Sequence, residues 1–119
     1  MQVTSKYTQL NGCNILTHDN AADDIIPNPK QNLYLYIEKL IVSVYEAATG
    51  DTGILEISDT KGNVFWRLNV DGVKDFELDF GSWGKKVSND INVGMQAMLS
   101  GANTQASVSI AIMAHLDVD

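Results

Sequence analysis

The stretch from Gly53 to Phe80, GILEISDTKGNVFWRLNVDGVKDFELDF, limits what this chain can fold into more than any other. Leu55 and Ile57 alternate with Glu56 and Ser58 in Gly53–Ser58. In Val64–Leu68, Val64, Trp66 and Leu68 alternate with Phe65 and Arg67, and in Lys74–Phe80, Phe76, Leu78 and Phe80 alternate with Asp75, Glu77 and Asp79. Strand side chains point to opposite faces with period two, so each run buries one face and wets the other. On a helix, Phe76, Leu78 and Phe80 would not form one stripe. Asp59-Thr60-Lys61-Gly62 has the Gly that closes a hairpin, and Asp71-Gly72 is a second turn signal. The second turn either closes another hairpin or belongs to a longer connection between two sheets.

The rest of the chain extends this pattern. Residues 1–12 are polar and read as an extended arm or edge strand, with Val3, Tyr7 and Leu10 its sparse apolar positions. Cys13–Leu16 reads as a strand end. Thr17–Lys30 reads as a loop stiffened by Pro27 and Pro29 and pinned to the body by Ile25 and Ile26. Leu33–Tyr45 is rich in Tyr, Ile and Val, which favours strand over helix. Its apolar phase slips between Leu33, Leu35, Ile37 and Leu40, Val42, Val44, and a β-bulge near Glu38-Lys39 reconciles the two. Ile91–Leu99 and Ala106–Val118 alternate strictly. The second face of the last run, Ser107, Ser109, Ala111, Met113, His115 and Asp117, is small and mildly polar, and suits contact with something other than bulk water. About eight strands with turn signals every eight to twelve residues predict an all-β, antiparallel sandwich or barrel. The 119 residues suit a single domain.

Composition narrows the function classes. A net charge of −7 disfavours nucleic acid and anionic membranes, which bind basic surfaces. The one cysteine, Cys13, excludes an internal disulfide framework. No apolar run has the length of a transmembrane span and no signal follows Met1, so synthesis in a cytosol is expected.

No motif carries recognisable chemistry, and no cofactor site or enzymatic activity is expected. His18, Asp19, Asp23 and Asp24 lack calcium-loop spacing and read as a solvated acidic loop rather than a cation site. Cys13 with a histidine lacks any nucleophile signature and reads as a small buried apolar residue. Asp75, Glu77 and Asp79 are spaced as glycosidase carboxylates can be, but so are any residues two apart on a strand; they read as a solvated face that discourages aggregation. Trp83, in Gly81-Ser82-Trp83-Gly84, is either a lid over the sandwich end or a binding residue. Phe65 is either covered by another strand or arm or part of a subunit contact. Met113 and His115, on the second face of the last strand, read as surface or interface residues. Val3, Tyr7, Phe65, Trp83, Met113 and His115 are therefore the candidate partner-binding residues.

The succession HDNAADDIIPNP, a long apolar strand, GILEISDTKGNVFWRL, FELDFGSWG, an apolar strand and a terminal alternating strand resembles small jelly-roll proteins of tailed bacteriophages that decorate or cement capsids. Similar domains occur in phage tail and fibre tips. The resemblance rests on Gly53–Asp59, on Leu78-Asp79-Phe80-Gly81 with Gly84, and on Val108–Ile112, and spans roughly the last hundred residues. It implies a jelly-roll domain over 13–119, preceded by the arm of residues 1–12. It also implies a homotrimer on the outside of a virion, bound to a major capsid protein, with no active site. The arm, with Val3 and Tyr7, would lie along a capsid subunit. A receptor- or carbohydrate-binding head domain of a tail or fibre, with Trp83 as stacking platform, is the alternative, and a hydrolase using the acidic comb is a more distant third.

Overall fold

A computed structural model describes residues 8–17, 22–45, 53–69, 75–100 and 107–118. These residues form nine strands: β1 (Thr8–Thr17), β2 (Asp23–Ile26), β3 (Tyr34–Tyr45), β4 (Ile54–Asp59), β5 (Val64–Asn69), β6 (Asp75–Asp79), β7 (Lys85–Lys86), β8 (Met95–Ser100) and β9 (Ser107–Asp117). One sheet has the order β1-β9-β3-β6 with β7 beside β3, and the other β2-β8-β4-β5. Every pairing is antiparallel. The chain changes sheet at each connection except the β4–β5 hairpin and the β6–β7 corner. Eight main strands interleaved in this way between two sheets make a jelly roll.

The alternation seen in the sequence dictates which faces meet. Leu35, Ile37, Leu40 and Val42 of β3 and Ile110, Ile112, Ala114 and Leu116 of β9 face Leu55 and Ile57 of β4 and Met95, Ala97 and Leu99 of β8. All are buried, and each large aliphatic contributes about 1.5–3 kcal/mol by leaving water. The phase slip in β3 is a bulge: Ile37 pairs with Ala114 and Lys39 with Met113, leaving Glu38 as the extra residue.

Three features differ from the sequence reading, and a fourth decides between two alternatives it left open. The Thr17–Lys30 segment contains β2, which pairs with β8 while Ile25 and Ile26 enter the core. β1 runs unbroken through residues 12 and 13. Cys13 is exposed, not buried. And β5 and β6 lie in different sheets, so the turn signal at Asp71-Gly72 belongs to a connection between sheets.

The two long sides of the sandwich are built differently. Along β1 and β2 the sheets pinch together, and a Cβ on Gly12 would lie 2.0 Å from the Ile25 carbonyl oxygen. Along β5 and β6 they are held apart by rings: Trp66 lies 4.6 Å from Phe76, and Phe65 meets Phe80 edge-on at 5.9 Å.

Candidate functional site

Two surfaces stand out, and Met113 marks the first. On the outer face of the β1-β9-β3 sheet, Asn11 sits opposite Met113, Cys13 opposite Ala111, and Ala111 opposite Ile41. Met113 is 44% exposed and Ile41 40% exposed, although both lie mid-sheet. Met113 separates two shallow concavities of about 340 Å³ each. One is apolar, lined by Cys13, Ala111 and the backbone around Gly12. The other is polar, lined by Glu38, Lys39, Asp79, Gly81 and Ser82. This matches the mildly apolar outer face read from the β9 sequence. Cys13 pairs with Ala111, four residues before His115, so the thiol and imidazole stand about 13 Å apart along the strands at ~3.3 Å per residue, too far for proton transfer.

His115 lies on the outer face, as its phase requires, yet it is only 3% exposed. The expectation of a surface residue is corrected here, and the cover comes from distant parts of the chain. The β3 bulge aims Glu38 at the imidazole, with 2.7 Å between its carboxylate and Nδ1. The Tyr36 ring stacks on it at 5.3 Å with a 7° interplanar angle. Gly84 closes the top, where a Cβ would lie 3.2 Å from the His115 Cε1. His115 is therefore the floor on which the Gly81–Gly84 turn rests.

That turn presents Trp83. The Phe80 N–H donates to the Glu38 carbonyl at 2.8 Å, the Gly81 N–H to the Asp79 carboxylate at 2.8 Å, and the Gly84 N–H to the Gly81 carbonyl at 3.1 Å. Gly81 and Gly84 have φ of +78° and +77°, a region glycine enters without steric penalty. At the tip Trp83 is 87% exposed. It is no lid; the turn holds it out into solvent beside the polar concavity.

The second surface is the ring-lined side of the sandwich. β4 and β5 slip register between Ile57, opposite Trp66, and Ser58, opposite Val64, so Phe65 is the extra residue of a bulge. The bulge turns Phe65 toward Phe80, with the Lys85 ammonium 6.0 Å from each ring centroid. Phe65 is thus covered in part, by the Phe80 ring that follows β6, and part of it still faces outward. Phe65, Trp66, Phe76, Leu78 and Phe80 all pack on the core and all remain half-buried.

Asp75, Glu77 and Asp79 are exposed beside this seam. Glu77 pairs with Lys39 at 2.9 Å, and Asp79 caps the Gly81 turn. Val3, Tyr7, His18 and Asp19 fall outside the described residues. Asp23 and Asp24 lie in β2, and among the described residues no three His, Cys, Asp or Glu side chains are grouped to hold a metal. Sequence reasoning missed Asp59, read only as a turn residue. It is fully buried and accepts hydrogen bonds from the Lys61 and Asn63 backbones and the Asn63 side chain.

No protein-family model and no curated protein matches the sequence. The fold is similar to that of a chain in the acidic stable capsid structure of Helicobacter pylori bacteriophage KHP30, with 13% identity, a TM-score of 0.64, and coverage of 95% of this chain and 94% of that one. It is also similar to a chain in the capsid asymmetric unit of cyanophage Pam1, at 12% identity and TM-score 0.60, covering 98% and 89%. A Bacillus endospore appendage protein, from a family of disulfide-linked pili, matches at 14% identity and TM-score 0.50, covering 98% and 93%. At these identities the likeness is one of fold.

Proposed function

We propose that this chain is a structural protein of a phage virion that decorates or cements the capsid surface as a homotrimer. The observation that carries the reading is the end-to-end match to chains of two phage capsids, covering 94% and 89% of those chains. The likeness is thus to whole subunits of this size rather than to a module within a larger protein. The proposal assigns the chain no catalytic role. The expected mechanism is mass action: a protein that bridges assembled capsid subunits, and does not bind free ones, shifts assembly toward the closed shell. A net charge of −7 suits a partner whose surface is basic.

In this reading the Met113 face lies about the threefold axis, where a closed cyclic contact buries an outer sheet face. Trp83, presented on a tight turn, contacts the major capsid protein, with the N-terminal arm, including Val3 and Tyr7, lying along it. Native mass spectrometry tests the assembly. The wild-type chain should run as a trimer and a Met113→Asp variant as a monomer. A monomeric wild-type protein overturns the trimer.

One observation favours a second reading. The exposed Trp83 beside Glu38, Lys39, Asp79 and Ser82 combines an aromatic face with polar groups, as a sugar-binding head domain of a tail or fibre requires. Saturable quenching of Trp83 fluorescence by host-surface glycans, absent in Trp83→Ala, would favour it. The pilus comparison carries less. A chain with one cysteine, Cys13, forms one disulfide and stops at a dimer, so disulfides alone cannot extend it into a fibre.

A further inference from the structure

The β5/β6 side of the sandwich is open in a way that specifies what would close it. Among the described residues β6 pairs only with β3, and β5 only with β4. Each is therefore the last strand of its sheet, and both edges lie on the same side. The β5 edge is broken by the bulge at Phe65, which disrupts a ladder and discourages pairing. The β6 edge is regular. The Phe80 N–H donates to the Glu38 carbonyl, in register with the pairing of Asp79 to Lys39 and Leu78 to Leu40. Peptide groups alternate sides along an antiparallel strand. Those of Leu78 and Phe76 therefore face β3, and those of Asp75, Glu77 and Asp79 face outward.

The two faces of that edge differ in chemistry. One carries the carboxylates of Asp75, Glu77 and Asp79. The other carries Phe76 and Leu78, half-buried against Trp66, Phe65 and Phe80. We infer that the β6 edge receives an extended segment of another protein in which Lys or Arg alternates with branched apolar residues. Such a strand adds to the sheet through the outward peptide groups of β6. Its basic side chains stand beside the carboxylates, and its apolar side chains fill the seam between β6 and β5. Glu77 already holds Lys39, so Asp75 and Asp79 supply most of the attraction.

A second copy of this chain does not fit. Two β6 strands pairing antiparallel would set carboxylate against carboxylate, which is unfavourable. No two of the chain's eight lysines and arginines stand two residues apart, so no segment of it offers the required alternation. Lys85 and Lys86 lie beyond the Gly81–Gly84 turn, which confines the basic-seeking edge to Asp75–Asp79.

The test is hydrogen exchange read by NMR on the full chain, with three eight-residue peptides at up to millimolar concentration: alternating Lys-Val, alternating Glu-Val and alternating Lys-Ser. The Lys-Val peptide should slow exchange at the Glu77 amide and shift resonances of Phe76 and Trp66, and the other two should not. Asp75→Lys should weaken Lys-Val binding about fivefold, the scale of one cross-strand charge pair, while Met113→Ala leaves it unchanged. No slowing at Glu77, equal binding of the Glu-Val peptide, or shifts centred on Met113 and Trp83 would overturn the inference. It stands apart from the virion reading. A chain that co-sediments with particles but ignores the peptide removes only this inference, and one that takes the peptide but ignores particles removes only the other.

Discussion

Replacing Asp59 should damage this fold more than any other change at a turn. The residue ends β4, is fully buried, and organises the hairpin to β5. Its Oδ1 accepts from the Lys61 N–H at 2.8 Å and the Asn63 N–H at 2.9 Å, and its Oδ2 from the Asn63 side-chain amide at 2.7 Å. That amide also reaches Asp90 at 2.8 Å, and Thr60 exchanges bonds with Gly94, so the turn ties the hairpin to the start of β8. Hydrogen bonds to a charged group contribute about 1.5–3 kcal/mol each and are not additive, so Asp59→Ala should cost about 4 kcal/mol. For a chain of 119 residues that lowers Tm by roughly 12–20 °C. Asp59→Asn, which keeps one oxygen, should cost about 2 kcal/mol. The pH dependence is an independent check. Burial pushes the Asp59 carboxyl up, but hydrogen bonds from the Asn63 and Ser88 side chains and the Asn63 and Lys61 backbones outweigh it and hold it below the usual carboxylate range. A depressed folded-state pKa stabilises above the ordinary carboxylate value of about 3.9, and that stability is lost as pH falls through the lower folded value. Urea unfolding of wild type and Asp59→Asn should therefore show a gap that is widest near neutrality and closes in strong acid. A gap that does not change with pH, or an Asp59→Ala cost below about 1 kcal/mol, would refute the reasoning.

Gly12→Ala should force β1 away from β2, since its Cβ would lie 2.0 Å from the Ile25 carbonyl; the urea midpoint should fall by more than for Gly62→Ala, where φ is +93° but nothing lies within 4 Å. That second change should cost about 1–2 kcal/mol from backbone conformation alone. Trp83→Ala should leave thermal stability within about 0.5 kcal/mol of wild type, because the side chain is free of the core, and any loss of partner binding would then be a loss of contact. Cys13 lines the Met113 face, so a thiol reagent should reach it slowly in the native trimer and faster in the monomeric Met113→Asp variant.

Where local pattern determines structure, the sequence was readable. Strict alternation in 106–118 and the phase slip around Glu38 gave β9 and the β3 bulge, because period two has no freedom once one face is buried. β2 was hidden because only Ile25 and Ile26 of its four residues are apolar. The Asp71-Gly72 signal suits a hairpin and a sheet-to-sheet connection equally, so the placing of β5 and β6 in separate sheets had no local signature. His115 was assigned to the correct face, but its cover comes from Glu38, Tyr36 and Gly84, residues far away in sequence. Cys13 was misjudged because its apolar neighbours suggested burial, whereas its own phase points it outward opposite Ala111. Met113 and the Gly81-Ser82 turn that carries Trp83 lie far apart in sequence; only the fold sets them around one polar concavity.

The most direct test of the virion reading is co-sedimentation of the purified chain with phage particles that lack it, followed by heating of the loaded particles. The account predicts saturable binding in multiples of three and particles that release their genome at a higher temperature once loaded. A chain that stays in the supernatant at saturating concentration, leaving the particles' release temperature unchanged, would contradict it.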